Sequence, residues 1–157
     1  GLRIGVSAAK GFCFALKIPL IAEDGLQLLV SQFISEMEIG QDEIIIPMLD
    51  ARRMEVYCSI HDSSGKRLSE IEAKVIDENS FSDIKASRVH LIGDGAAKCK
   101  EMLNDAKFQY HPLEFPSSTT LALLSQAKFE NKAFEDVAYF EPFYLKDFVA
   151  GKPKKLL

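Results

Sequence analysis

The sequence predicts an α/β protein with a mixed sheet. Three observations predict it. Two segments near the start carry apolar residues at helical spacing. From residue 42 the pattern switches to three short runs of strand character joined by short links. After that, strand-like and helix-like stretches alternate to the end. The 157 residues suit one domain or parts of two. Apolar residues make up 47% and charged residues 27%, enough for a core beneath a solvated surface.

The opening stretch, GLRIGVSAAKGFCFALKIPLIA, reads as a helix over about Leu2 to Leu16. At 100° per residue, Arg3, Ser7, Lys10 and Lys17 fall on one narrow polar stripe, and Leu2, Ile4, Val6, Phe12, Cys13 and Leu16 cover most of the rest. Phe14 interrupts the stripe. A helix apolar over more than half its circumference wants burial on several sides, so it is expected in the core; the sharper alternative is packing on a missing segment or a partner. With neither a Met nor a capping residue ahead of it, the chain is expected to be a fragment of a longer protein. Pro19 is the expected helix stop. GLQLLVSQFISEM forms the second helix, with Gly40 as its stop.

DEIIIPMLD reads as a buried strand in which Pro47 implies an edge or a bend. MEVYCSIHD alternates, with Met54, Val56, Cys58 and Ile60 pointing one way and Glu55, Tyr57, Ser59 and His61 the other. A DSSG turn leads into RLSEIEAKVI, with Ile71, Ala73 and Val75 inward. NSFSDI then offers a short helix, RVHLIG a strand, GDGAAKCKEML a helix burying Ala96, Cys99, Met102 and Leu103, and FQYHPLEF an extended run. PSSTTLALLSQAKFEN is a Ser-capped helix with Leu121, Leu124 and Phe129 buried. The order β-β-β-α-β-α-β-α is that of an RNase H-like mixed sheet, the unit duplicated in actin-like ATPases and sugar kinases. Residues 1–41 then read as the end of a truncated first lobe with its connecting helix, 42–149 as the RNase H-like second lobe, and 150–157 as a basic tail.

Bulk properties restrict function. The net charge is −4 and the pI near 5.4, which disfavours strong nucleic-acid binding by this segment alone. Cys13, Cys58 and Cys99 are odd in number and lack metal-type spacing, which fits reduced thiols in a cytoplasmic protein. No run of 18 apolar residues marks a membrane span.

His61, His90 and His111 are not four residues apart, so neither H-x-x-x-H nor H-E-x-x-H occurs, and no metal site or catalytic residue is expected. Gly93, Asp94 and Gly95 lie between a strand and a helix. Such a loop approaches a nucleotide or simply makes a tight turn. Asp50, Arg52 and Arg53 connect two strands; the arginines either hold a phosphate or carboxylate, or pair with Asp50 in a solvated hairpin. SSTT at 117–120 is better read as a helix cap than as a nucleophile. KPKK at 152–155 reads as a solvated tail.

GLRIGVSAAKGFCFALKIPLIA, PMLDARRMEVYCSIHD, LIGDGAAK and EPFYLKDF occur in the order and spacing of the TsaB (YeaZ) family, and the sequence resembles members from Bacteroides-type bacteria. The resemblance spans nearly all 157 residues. A family signature of Gly-Ser-Tyr then TGLRIG is entered at Gly1, and AEDGLQLL departs from the usual Ser-Thr-Leu. The resemblance implies a two-lobed actin-like fold and a role in making threonylcarbamoyladenosine in tRNA, beside the anticodon. It implies a non-catalytic subunit, once labelled glycoprotease, that partners a TsaD-like transferase and a TsaE-like ATPase and reaches tRNA indirectly. It also implies that the Asp50–Arg53 loop faces the interlobe cleft, and it puts helix one, with Arg3 and Ser7 as cleft or interface candidates, at or near the partner-contacting region, whose main contact helices are expected upstream. No cofactor is expected on the chain, with ATP entering at the level of the complex. The alternatives are an ATP-binding, kinase-like protein of the same fold, resting on GDGA, and a homodimer formed through the first helix.

Overall fold

A computed structural model describes residues 1–146. KPKK at 152–155 and the 150–157 tail lie outside the described residues. The sheet is built around β1 (Ile44–Asp50), a run of Ile, Met and Leu that is buried on both faces. It pairs antiparallel with β2 (Glu55–Cys58) and β3 (His61–Asp62), and parallel with β5 (Val89–Ile92). β4 (Glu72–Val75) closes one edge on β2 and β6 (Phe108–Tyr110) the other on β5, giving the order β4-β2-β1-β5-β6.

Pro47 therefore lies in the central strand, not at an edge. The ladder accommodates it with a gap. Met48 pairs with Cys58 and Ile45 with His61, so the register is continuous across β2 and β3. That register sets Pro47 opposite Ser59, at the interruption between the two strands. Proline has no N–H to donate, so the break falls where a ladder bond is missing.

The two faces of the sheet follow its period of two. Ile46, Met48, Val56, Cys58, Val89 and Leu91 meet Ile76, Phe81, Ala96, Cys99, Leu103 and Phe108 on one side. Ile45 and Ile92 meet Leu29, Val30 and Phe33 of α2 (Gly25–Glu36) on the other. Because α2 covers this second face, Ser59 and His61 are buried as well as the apolar set opposite them. Asp24 caps α2 by accepting from Leu26 N–H at 2.8 Å, and the helix ends at Glu36, ahead of Gly40.

Other expectations are corrected. In β4, Lys74 pairs with Val56 and Glu72 with Cys58, so these two lie on the core face and Val75 is exposed. An edge strand tolerates this phase because Lys74 lays its stem inward, its ammonium 5.3 Å from the Phe81 ring, and bonds Glu72. NSFSDI forms turns instead of a helix, with Ser80 and Asp77 bonding each other. GDGAAKCKEML winds into a three-residue 3-10 helix, Ala97–Cys99. Gly95 presses against the β1 backbone, and i→i+3 bonds at Ala96, Cys99 and Met102 keep the segment tight. Ala96, Cys99 and Leu103 are nevertheless buried, as expected.

α3 (Ser118–Glu130) is capped by Ser117, whose Oγ accepts from Thr120 N–H at 3.1 Å. It buries no residue, so the expected buried face of Leu121, Leu124 and Phe129 is partly open. α1 (Leu2–Leu16) ends where Lys17 adopts φ 54°, two residues ahead of Pro19. Cys13 is its one buried residue. Ile4, Phe12 and Phe14 are 77%, 67% and 81% exposed, so α1 is not a core helix in this chain. No described helix is long and apolar enough to cross a membrane.

Candidate functional site

α1 rests on the protein through buried Cys13 and half-buried Val6 and Lys10, with exposed Arg3 tied to Tyr144 at the rim; Ser7 and Lys17, the rest of the polar stripe, are exposed. Lys10 donates to the carbonyls of Ala138 and Phe140 at 3.1 and 2.8 Å. Arg3 Nε donates to Tyr144 Oη at 2.9 Å, and its guanidinium sits 5.3 Å from that ring's centre. Ser7 joins Arg3, Val6 and Lys10 in a shallow groove against Glu141, Pro142 and Tyr144. Charged and carbonyl groups join Val6, Pro142 and the Tyr144 ring in this seam, and Leu2, Ile4, Phe12, Phe14 and Leu16 are left facing outward.

The Asp50–Arg53 and Gly93–Gly95 segments meet at the carboxyl ends of the parallel pair β1 and β5. Ligand crevices open at such strand ends in α/β sheets. Asp50 N–H donates to Asp94 Oδ1 at 3.0 Å, and Asp50 Oδ1 accepts from Arg52 N–H at 2.9 Å. Lys98 also bonds Asp50 and donates to the Glu55 carbonyl at 2.6 Å. The Lys98 contact, then the Arg52 N–H, holds the Asp50 carboxyl below the usual carboxylate range. So the partner of Asp50 is Lys98, not the Arg52 or Arg53 side chain. Lys98 went unnoticed in the sequence, although its place one turn beyond GDGA in DGAAK is the available signal.

The glycine loop uses its own donors. Gly93 N–H donates to Leu113 O at 2.6 Å and Gly95 N–H to Met48 O at 2.9 Å. Gly93 takes φ 98°, and a Cβ there would lie 2.2 Å from Met48 O. Its glycine is thus required by backbone packing. Arg3 and Ser7 lie apart from this loop pair. The segment after α3 spans the distance, since Tyr144 meets Arg3 and Lys146 pairs with Glu55 beside the hairpin.

Two histidine clusters also form. His90 Nδ1 and His111 Nε2 are 2.9 Å apart, and His90 Nε2 is 2.9 Å from Glu43 Oε2. His61 Nε2 and Ser59 Oγ are 2.8 Å apart, with His61 Nδ1 3.2 Å from Gly65 O. Sequence spacing did not reveal the His90–His111 pair, because parallel pairing of β5 with β6 brings them together over 21 positions. Among the described residues no three His, Cys, Asp or Glu side chains gather as a metal site.

Residues 1–154 match the family described as TsaD, tRNA N6-adenosine threonylcarbamoyltransferase. The chain belongs to the TsaD family. This family works in the biosynthesis of threonylcarbamoyladenosine in tRNA. Among curated proteins none matches. Two solved structures share the fold of this TsaD-family chain. YeaZ from Pseudomonas aeruginosa superposes with a TM-score of 0.74 at 20% identity, over 92% of this chain and 68% of that one. A structure titled as an uncharacterized protein with similarity to peptidase YEAZ from Pseudomonas aeruginosa gives 0.71 at 20% identity, over 93% and 68%. The mixed sheet of this TsaD-family member is thus of the RNase H-like, actin-like type.

Proposed function

We propose that the chain is a non-catalytic partner subunit of the complex that transfers a threonylcarbamoyl group to the adenosine beside the anticodon of tRNA. Within that reading α1 docks on a TsaD-like transferase, a TsaE-like ATPase joins the complex, and tRNA is reached indirectly, in the cytoplasm. The observation that carries the reading is the exposed apolar surface of α1, which includes Leu2, Ile4, Phe12, Phe14 and Leu16. A partner that covers Ile4, Phe12 and Phe14 gains their burial, worth roughly 1.5–3 kcal/mol per large side chain.

The arrangement of the histidines supports the same reading. Among the described residues, His90 and His111 bond each other and His61 bonds Ser59, so the three imidazoles are engaged within the fold. The alternative, an ATP-binding kinase-like protein, is less well supported. The N–H groups of Gly93 and Gly95 that would approach phosphates already bond carbonyls. Size-exclusion chromatography with the TsaD-like paralogue tests the proposal. Co-elution at a defined stoichiometry supports it. Separate elution of the two proteins removes it.

A further inference from the structure

The loop joining β1 to β2 holds four residues, Ala51 to Met54. Ala51 N–H donates to Glu55 O at 3.1 Å, and Glu55 N–H to Arg52 O at 3.2 Å. Two consecutive arginines within it are left-handed, Arg52 at φ 70° and Arg53 at φ 50°. Side chains are disfavoured in this region, and hairpin loops ordinarily place Asn or Gly there. Strain that persists at two adjacent positions points toward use of those side chains.

The surrounding carboxylates are engaged elsewhere. Asp50 is held by Lys98 and the Arg52 N–H. Asp94 Oδ1 accepts from Asp50 N–H. Glu55 pairs with Lys146. Among the described residues neither the Arg52 nor the Arg53 guanidinium has a hydrogen-bond or ion-pair partner, and both residues are exposed. The pair stands at the carboxyl ends of β1 and β5, beside the glycine loop.

The geometry points to Arg52 and Arg53 as a binding site for phosphate oxyanions. A guanidinium fork matches a phosphate bidentately, and it stays charged at every working pH. Because the Gly93 and Gly95 N–H groups bond carbonyls, the grip comes from the two side chains. The phosphate can come from an RNA backbone or from a nucleotide. The site requires no partner protein, so it stands or falls apart from the docking role of α1.

The test replaces the strained pair with residues that suit the turn, Arg52→Asn with Arg53→Asn. Binding of pyrophosphate and ATP is measured on the chain by NMR titration, and binding of an RNA hairpin by fluorescence anisotropy over a salt series. Urea unfolding is followed in parallel. The site predicts binding at least about tenfold weaker in the variant, with stability kept or raised. If RNA is the source, the slope of log affinity against log salt falls by about 1.5 to 2. Loss confined to pyrophosphate and ATP assigns the site to a nucleotide, and loss confined to RNA assigns it to the backbone. A wild-type chain that binds neither probe overturns the inference. So does a variant that binds both as well as wild type, or one that loses binding only because it is less stable.

Discussion

His90 Nδ1 lies 2.9 Å from His111 Nε2, while its other ring nitrogen lies 2.9 Å from a Glu43 oxygen. The Phe33 ring of α2 packs against both imidazoles, with centroids 5.3 and 4.6 Å away. Arg88 approaches the second Glu43 oxygen at 3.6 Å. The cluster ties β1, β5 and β6 to α2 through charge and hydrogen bonds as well as apolar contact.

Acid sensitivity follows from the shifts. Burial, then the charge of His90, pushes His111 below the ordinary histidine value, and burial does the same to His61. The unfolded chain therefore binds protons first, so stability falls as pH drops below about 6.5. The His90 contact, then the Gly40 N–H, holds Glu43 low, and Asp62 and Asp77 are lowered chiefly by Ser64 and Ser80. Their contribution is present above the ordinary carboxylate values and is lost as pH falls through the lowered ones. Urea unfolding between pH 8 and pH 3 should show two successive losses, below about 6.5 and below about 4.5. A stability that is flat from pH 7 to pH 5 would contradict the histidine assignment.

Removing the carboxylate isolates its share. Glu43→Ala leaves the His90 Nε2 without its partner in a nearly closed site. The expected loss is about 1–3 kcal/mol in urea unfolding at pH 7. A loss below about 0.5 kcal/mol would mean that water replaces the carboxylate freely.

Ser59 and His61 share the geometry of a nucleophile and its base, yet they are only 1% and 0% exposed. Their bond satisfies two polar groups at the strand interruption opposite Pro47. Ser59→Ala should cost about 1–2 kcal/mol. A fluorophosphonate probe should leave the folded chain unmodified by intact-mass analysis. Labelling at Ser59 would show that the pair is reachable and reactive.

Two glycines separate packing from propensity. Gly93→Ala brings a Cβ 2.2 Å from Met48 O at a positive φ and should cost more than about 3 kcal/mol. Gly11→Ala, inside α1 with nothing within 4 Å, should stabilise by up to about 1 kcal/mol. Thermal or urea midpoints of the two variants provide the comparison. Equal effects would refute the close approach at Gly93.

Elements with strong periodicity were legible in the sequence. α1, α2, the alternation of β2 and the Ser117 cap of α3 stand where their patterns place them, because local spacing and capping decide them. Long-range packing decides the rest. Nothing local to Pro47 shows that a strand on each side accepts a proline through a ladder gap. The phase of β4 depends on Val56 and Cys58 across the sheet. GDGAAKCKEML has helical spacing, but Gly95 against β1 tightens it. At the candidate site, the adjacency of Asp50 and Asp94 was not readable, since parallel pairing of β1 with β5 creates it. The polar stripe of α1 is legible as a stripe, but not that Tyr144 and two distant carbonyls would claim it.

The outward face of α1 carries the central claim, and one affinity measurement tests it most directly. Ile4→Glu with Phe14→Glu changes side chains that are 77% and 81% exposed, so the folded chain should keep its unfolding midpoint. Isothermal titration with the TsaD-like transferase should then show binding by the wild-type chain and at least a hundredfold loss in the variant, on the order of 3 kcal/mol. Equal affinity for the two chains would contradict the account.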